Sequence, residues 1–159
     1  MNTAWISNAS VEKLIAEANR AFPLETGGIL MGYIVGNEII ISELIGAGPD
    51  ASHRTHSFKP DYAYQEAEVA RLYEASSRKW TYLGDWHTHP RQKSPALSSK
   101  DIQTLDRIAR SRKARIATPL MLISSGQPDA WKLNIWQWRR GKLFRSRSQA
   151  MPLQPLRVY

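Results

Sequence analysis

Two histidines stand two residues apart in the stretch 84–101, GDWHTHPRQKSPALSSKD, followed by a proline and, twelve residues after the second, an aspartate. No other feature constrains the fold as much. Side chains at i and i+2 of a strand point to one face. If residues 82–89 form a strand, His87 and His89 therefore present two imidazoles side by side. The chain must then turn back through a Pro- and Ser-containing loop for Asp101 to join them. Two imidazoles and one carboxylate leave one tetrahedral position open, which separates a catalytic zinc from a structural one. Asp85 is a rival ligand on the same strand face. It ranks second, because Asp85 to His89 spans roughly 13 Å at about 3.3 Å per residue.

The rest of the chain supplies elements to hold such a strand. Ser7 to Ser10 offer helix caps, and Val11, Leu14, Ile15 and Ala18 recur at helical spacing, which predicts a helix ending near Phe22-Pro23. Gly27, Gly28 and Gly32 mark a strand approached closely by backbone or ligand. Gly36-Asn37 predicts a hairpin into a strand over 38–44. Glu25 stands at the entry to the first of these strands, either as an exposed turn residue or as a functional carboxylate. Residues 46–58 read as a polar loop, in which His53 and His56 are exposed, or less readily a second metal site. Pro60 is expected in the first turn of a helix of about sixteen residues, with Tyr62, Ala63, Ala67, Ala70 and Tyr73 as its apolar stripe. Ser98 or Ser99 caps a third helix with Asp101 in its first turn and Ile102, Leu105, Ile108 and Ala109 inward. Strands are expected at 120–123 and around Trp131, Leu133 and Ile135, then a hairpin through Arg140-Gly141 into 142–148. The class is α/β, with helices packed on a mixed sheet. One domain is expected over 1–150, followed by a loosely packed C-terminal tail, 151–159.

Charge and composition narrow the chemistry. There is no cysteine, so thiolate ligands, a Cys nucleophile and disulfides are excluded. No run of about eighteen apolar residues is present, so no membrane helix is expected. The first residues lack the pattern of a signal peptide, and the expected location is the cytoplasm. The net charge of +8 suits an acidic partner. It gathers at Arg107, Arg110, Arg112, Lys113 and Arg115, and again at Arg139, Arg140, Lys142, Arg145 and Arg147. These are solvated faces or a docking surface; no nucleic-acid motif accompanies them.

A zinc ion held by His87, His89 and Asp101 would lower the pKa of its water toward about 7 and polarise a carbonyl. A base must then take the water proton and pass it to a leaving amine. Glu25 is the candidate, a carboxylate outside the ligand set. An oxyanion donor is also needed. Ser98 stands three residues before Asp101 and serves as donor, as helix cap, or as both.

Glu25 in LETGGILMGY, His87-Thr88-His89-Pro90 and Ser98-x-x-Asp101 together resemble the JAMM motif of the JAB1/MPN/Mov34 metalloproteases. The resemblance runs from about Val11 to Trp138. It implies the MPN fold, a mixed sheet flanked by helices, and hydrolysis of peptide or isopeptide bonds with one zinc ion and its catalytic water. The spacer from Pro90 to Lys100 holds eleven residues where the family usually has ten, and the extra one falls in the loop, where insertion is tolerated. Residues 25–32, Gly48-Pro49, Phe58-x-Pro60-Asp61, Tyr64-Gln65 and residues 82–90 are similar to a stand-alone bacterial subgroup. That subgroup includes the deconjugating peptidase of CBASS antiphage operons. This likeness implies a deubiquitinase-like enzyme that frees the C-terminus of a cGAS-like nucleotidyltransferase, or of a ubiquitin-like protein, from a target amine. The substrate's extended tail would lie along a sheet edge near Glu25. A silent MPN scaffold and a basic nucleic-acid-binding module are the competing readings.

Overall fold

The structure is a computed structural model, describing residues 2–141, 149–153 and 156–159. In chain order the elements are β1 (Thr3–Ile6), α1 (Asn8–Ala21), β2 (Gly27–Val35), β3 (Glu38–Ile45), β4 (Ser52–His53), β5 (Phe58–Lys59) and α2 (Tyr62–Ala75). Then follow β6 (Thr81–Pro90), α3 (Ser99–Arg110), β7 (Leu120–Gly126), β8 (Lys132–Arg139), β9 (Gln149–Pro152) and β10 (Leu156–Val158). Among the described residues eight strands form one sheet in the order β10-β1-β3-β2-β6-β7-β8-β9, while β4 and β5 pair separately.

The sheet is mixed. β6 and β7 run parallel, as do β1 and its two neighbours, and the remaining pairs are antiparallel. β7 shows how the layers divide. Leu120 and Leu122 enter the main core with Leu14 of α1, whereas Met121 and Ile123 pack with Leu105 of α3. Alternation along a strand thus puts α1 on one face and α3 on the other. Leu72 of α2 packs on Met31 and Ile45, and Met31's neighbour Leu30 points to the main core, so α2 shares the face of α3. A strand covered on both sides reads as an unbroken apolar run, which explains LMLI.

β2 and β6 lie side by side in the middle of the sheet. Their register slips between Leu30 and Met31, where Gly84 and Tyr82 are the successive partners and Leu83 is skipped. The bulge resets the alternation. Leu83 and Trp86 face the main core, leaving Tyr82 with the opposite cluster. The close approach foreseen at the glycines is to backbone. A Cβ on Gly32 would lie 1.8 Å from the Ile40 carbonyl oxygen.

Several sequence expectations are corrected. α2 begins at Tyr62 with Asp61 as cap, its Oδ1 accepting the Tyr64 N–H at 3.1 Å, so Pro60 precedes the helix. The buried residues of α2 are Gln65 and Leu72; Tyr62, Ala63, Ala67, Ala70 and Tyr73 are exposed. Alanines cover little area, and Leu72 with half-buried Val69 outweighs them. Gln65 is tolerated inside because its Nε2 donates to the Gly46 carbonyl at 3.0 Å. In α3 the inward line is Asp101 and Leu105, and Ile102 is exposed. Ile102, about 100° round the helix from Asp101, falls outside the line that faces the sheet.

The C-terminal segment is not loosely packed. β9 extends β8, Leu153 is buried in the main core, and β10 pairs with β1, a strand not foreseen from the sequence. Few residues join β9 and β10, which stand at opposite ends of the strand order, so the sheet curls until its ends approach. The Leu153 N–H donates to the Ile135 carbonyl at 2.9 Å, and Asn2 Nδ2 donates to Gln137 Oε1 at 3.0 Å. The hairpin strand expected over 142–148 lies outside the described residues. No helix among the described residues is long and apolar enough to cross a membrane.

Gly32→Ala should lower the unfolding free energy by about 2–3 kcal/mol. Urea denaturation of the two proteins checks this, and an unchanged midpoint would mean that β3 does not approach Gly32 as described.

Candidate metal centre

The site forms where the start of β2 meets the end of β6. Gly27 is paired with His87 in the ladder. The Thr88 N–H donates to the Thr26 carbonyl at 2.9 Å, and the Thr26 N–H donates to Thr88 Oγ1 at 3.0 Å. Gly27 is required by the contact itself. A Cβ there would lie 2.4 Å from the Trp86 carbonyl oxygen and 2.7 Å from the His87 Cβ. Glu25, two residues earlier, is thereby held at the mouth of the site.

His87 and His89 project from β6 toward the face that carries α2 and α3, and both are buried. Asp101 arrives from the first turn of α3 through a capping box. Asp101 Oδ2 accepts the Ser98 N–H at 2.7 Å, and Ser98 Oγ accepts the Asp101 N–H at 3.1 Å. The intervening loop starts with a turn, in which the Gln92 N–H donates to the His89 carbonyl at 3.3 Å. The eleven-residue spacer does not carry Asp101 away. His87 Nε2 lies 3.0 Å from Asp101 Oδ1 and His89 Nε2 lies 3.4 Å from Oδ2, while the two Nε2 atoms are 3.0 Å apart.

The donor set fits a metal ion. One candidate ligand atom from each of His87, His89 and Asp101 lies within 4.8 Å of the other two. Two imidazole nitrogens facing each other need a proton or a cation between them, since neutral lone pairs repel. His89 Nδ1 is buried without a hydrogen-bond partner among the described residues. Asp85, the rival carboxylate, is outside this group; its Oδ1 accepts the Tyr82 hydroxyl at 2.8 Å.

The loop read as polar and exposed holds Glu25 in place. The Glu25 N–H donates to the Arg54 carbonyl at 2.8 Å, and the Glu25 carbonyl accepts from His53 Nδ1 at 2.8 Å. The His53 ring stacks on Phe58 with centroids 6.4 Å apart, and Phe58 lies at the same distance from the His87 ring. Neither His53 nor His56 belongs to the metal cluster. The signal that could have found this role was the alternation of His53 and Phe58 about a short turn, too brief to read as strands.

Burial raises the Glu25 carboxyl above its ordinary range, and Asp101 adds to this, while His87 and His89 oppose it. At Asp101 burial also acts upward. Hydrogen bonds from His87 and His89, with the charge of His87 and the Ser98 N–H, outweigh it and hold the carboxyl well below the usual range. Burial pushes Asp85 up to about 6, against the Tyr82 hydrogen bond and the charges of His87 and Arg107. A groove of about 1450 Å³ follows β6 from Trp80 to His89, between α2 and the segment of α3 and its C-terminal loop.

Residues 7–139 match the family described as prokaryotic homologs of the JAB domain. A Sinorhizobium fredii protein named "Probable metalloprotease y4qB" is 39% identical over 133 residues, covering 83% of this chain and 81% of that protein. An Enterobacter hormaechei protein named as a CD-NTase/cGAS isopeptidase is 28% identical, over 79% of this chain and 69% of its own length. Among solved structures, protein DSY2949 from Desulfitobacterium hafniense superposes with a TM-score of 0.67 at 19% identity, over 99% of this chain and 92% of that one.

Two outcomes follow from this geometry. His89→Ala or Asp101→Asn should weaken binding of added Zn²⁺ or Co²⁺ at least about 100-fold, as read by calorimetry; retention of wild-type affinity would remove the site. Asp85 has a raised folded pKa, so its contribution to stability is complete below the unfolded value, near 4, and is lost as pH rises through about 6. Asp85→Asn should therefore gain on the wild type between pH 4 and pH 7, by about 2–3 kcal/mol at most. Denaturation at the two pH values measures the change.

Proposed function

This chain belongs to the family of prokaryotic homologs of the JAB domain, and on that premise we propose that it is a zinc-dependent isopeptidase. Its curled mixed sheet, with three helices among the described residues, is the MPN fold. Its family, a metalloprotease relative and the convergent donor set make it a metal-dependent peptidase. The finer reading is a deubiquitinase-like hydrolase that cuts between the C-terminus of a cGAS-like nucleotidyltransferase, or of a ubiquitin-like protein, and a target amine, in cytoplasmic antiphage defence. The relatives named as CD-NTase/cGAS isopeptidases support this choice. The convergence of His87, His89 and Asp101 beside Glu25 carries the reading.

His87, His89 and Asp101 would hold the ion. Bound there, zinc supplies Lewis acidity toward the scissile carbonyl and acidifies water. Glu25 takes the proton from water and delivers it to the departing amine. Burial raises its proton affinity above that of an ordinary glutamate, which suits a group that must accept and then release a proton. Ser98 Oγ uses a lone pair in the cap, which leaves its O–H to donate to the developing oxyanion. The groove along β6 receives the acyl side of the substrate as an extended tail. β2 is paired on both sides, so the edge near Glu25 belongs to the β4–β5 pair rather than to the main sheet. This revises the strand-addition expectation: the tail would run beside β4–β5, with Phe58 as one wall.

The test uses a cGAS-like enzyme fused through its C-terminus to a reporter protein. Cleavage after the native C-terminus should require metal and stop with chelator. Glu25→Gln should lower kcat by about 10³-fold or more while keeping bound zinc. An intact fusion in the presence of zinc-loaded wild type would point to a silent scaffold instead.

A further inference from the structure

The charge around the metal centre goes from balanced to positive along β6. On the groove side the lining includes Glu25, Glu66, Asp85 and Asp101 against Lys100, Arg107, Lys113 and Arg115. Two of these cations have partners or carboxylates at hand: Lys113 pairs with Glu66, and Arg107 acts on Asp85. Past His89 the chain turns sharply. Arg91 takes φ 66°, and its N–H donates to the Gly126 carbonyl at 2.6 Å. A second hollow, of about 320 Å³, opens between this turn and the β7–β8 connection.

Gln92 borders both the groove and the hollow, so the two adjoin at this residue, past the metal centre. The charged residues lining the hollow are Arg91, Lys93 and Lys132, with no Asp or Glu among the lining residues. None of the three forms an ion pair among the described residues. Arg91 stacks over the Phe22 ring at 5.6 Å, and Lys132 Nζ donates to the Lys93 carbonyl at 3.4 Å. Asp129, in the same β7–β8 connection, does not line the hollow. The stretches outside the described residues contain no Asp or Glu in sequence.

A substrate cut at the metal centre has an acyl side and an amine side, and they must leave in different directions. From Trp80 to His89 the groove offers room for about nine extended residues at about 3.3 Å each, which suits a long C-terminal tail. The amine-bearing side then passes Gln92 and meets three cations with no carboxylate among them. We propose that this hollow is a specificity subsite for the leaving side, selecting acceptor proteins in which the cleaved lysine is flanked by Asp or Glu. The proposal rests on the isopeptidase reading. A peptide suits the hollow better than a nucleic acid does, because the hollow holds only a few side chains and adjoins the centre rather than forming an extended stripe.

Two fusions test it. They share one nucleotidyltransferase tail and differ only after the scissile bond, one with acidic residues there and one with basic residues. Wild type should favour the acidic fusion about tenfold in kcat/KM at low salt, mostly through KM, with the ratio shrinking as salt is added. Lys93→Glu with Lys132→Glu should reverse the preference while keeping zinc content and melting temperature. Lys93→Glu alone, in the exposed loop, should move the ratio the same way. Equal cleavage of both fusions by wild type overturns the subsite, as does a double variant that slows both equally. So does a DNA oligonucleotide whose binding depends on Lys93 and Lys132 while the cleavage ratio does not. Cleavage of neither fusion by zinc-loaded wild type removes the isopeptidase reading, and the subsite with it.

Discussion

The ladder between the start of β2 and the end of β6 is the contact on which the rest of the molecule turns. Gly27 opposite His87, and Thr26 bonded in both directions to Thr88, bring two segments about sixty residues apart into backbone contact. Any side chain at position 27 would collide with the Trp86 carbonyl and with His87 itself. The two strands therefore approach because the sequence leaves a gap there. Once they do, Glu25 stands beside the two imidazoles, and the central sheet around them is covered on both faces.

The donors converge because each is held by structure other than the site. β6 fixes the two histidines by strand alternation. The capping box of α3 fixes Asp101 by satisfying backbone N–H groups that a helix start would otherwise leave open. The β4–β5 pair holds the Glu25 backbone from both sides. Against its own burial, hydrogen bonds from His87 and His89 hold the Asp101 carboxyl low, and a cation held by the three would take the place of those contacts. Stability is given up locally for a site that rigid elements position from three directions.

Where sequence reasoning failed, one interaction overrode a local pattern. The alanines of α2 recur at helical spacing, yet Leu72 and Val69 carry more apolar area and Gln65 finds a backbone acceptor. Ile102 was expected inside α3, but the inward position belongs to Asp101. The C-terminal residues carry little local signal because β9 and β10 are only four and three residues long, and β9 ends on a proline. Their partners β8 and β1 are distant in sequence, and only the curl of the sheet brings both within reach.

By itself the sequence determined the local features: the α1 helix, the β2–β3 hairpin, the strand carrying His87 and His89, and the helix start at Ser98 with Asp101 in its first turn. These depend on periodicity, caps and turns, which act over a few residues. It also carried the resemblance that pointed to Glu25. Strand spacing already ranked Asp101 above Asp85; the tertiary structure brought Asp101 beside the histidines and turned Asp85 to Tyr82. It made the loop with His53 and Phe58 a support for Glu25, and it gathered Arg91, Lys93 and Lys132, which form no ion pair among the described residues, around a hollow beside the metal centre. Those outcomes rest on contacts between residues far apart in the chain, whose loop-closure cost and packing no local pattern encodes.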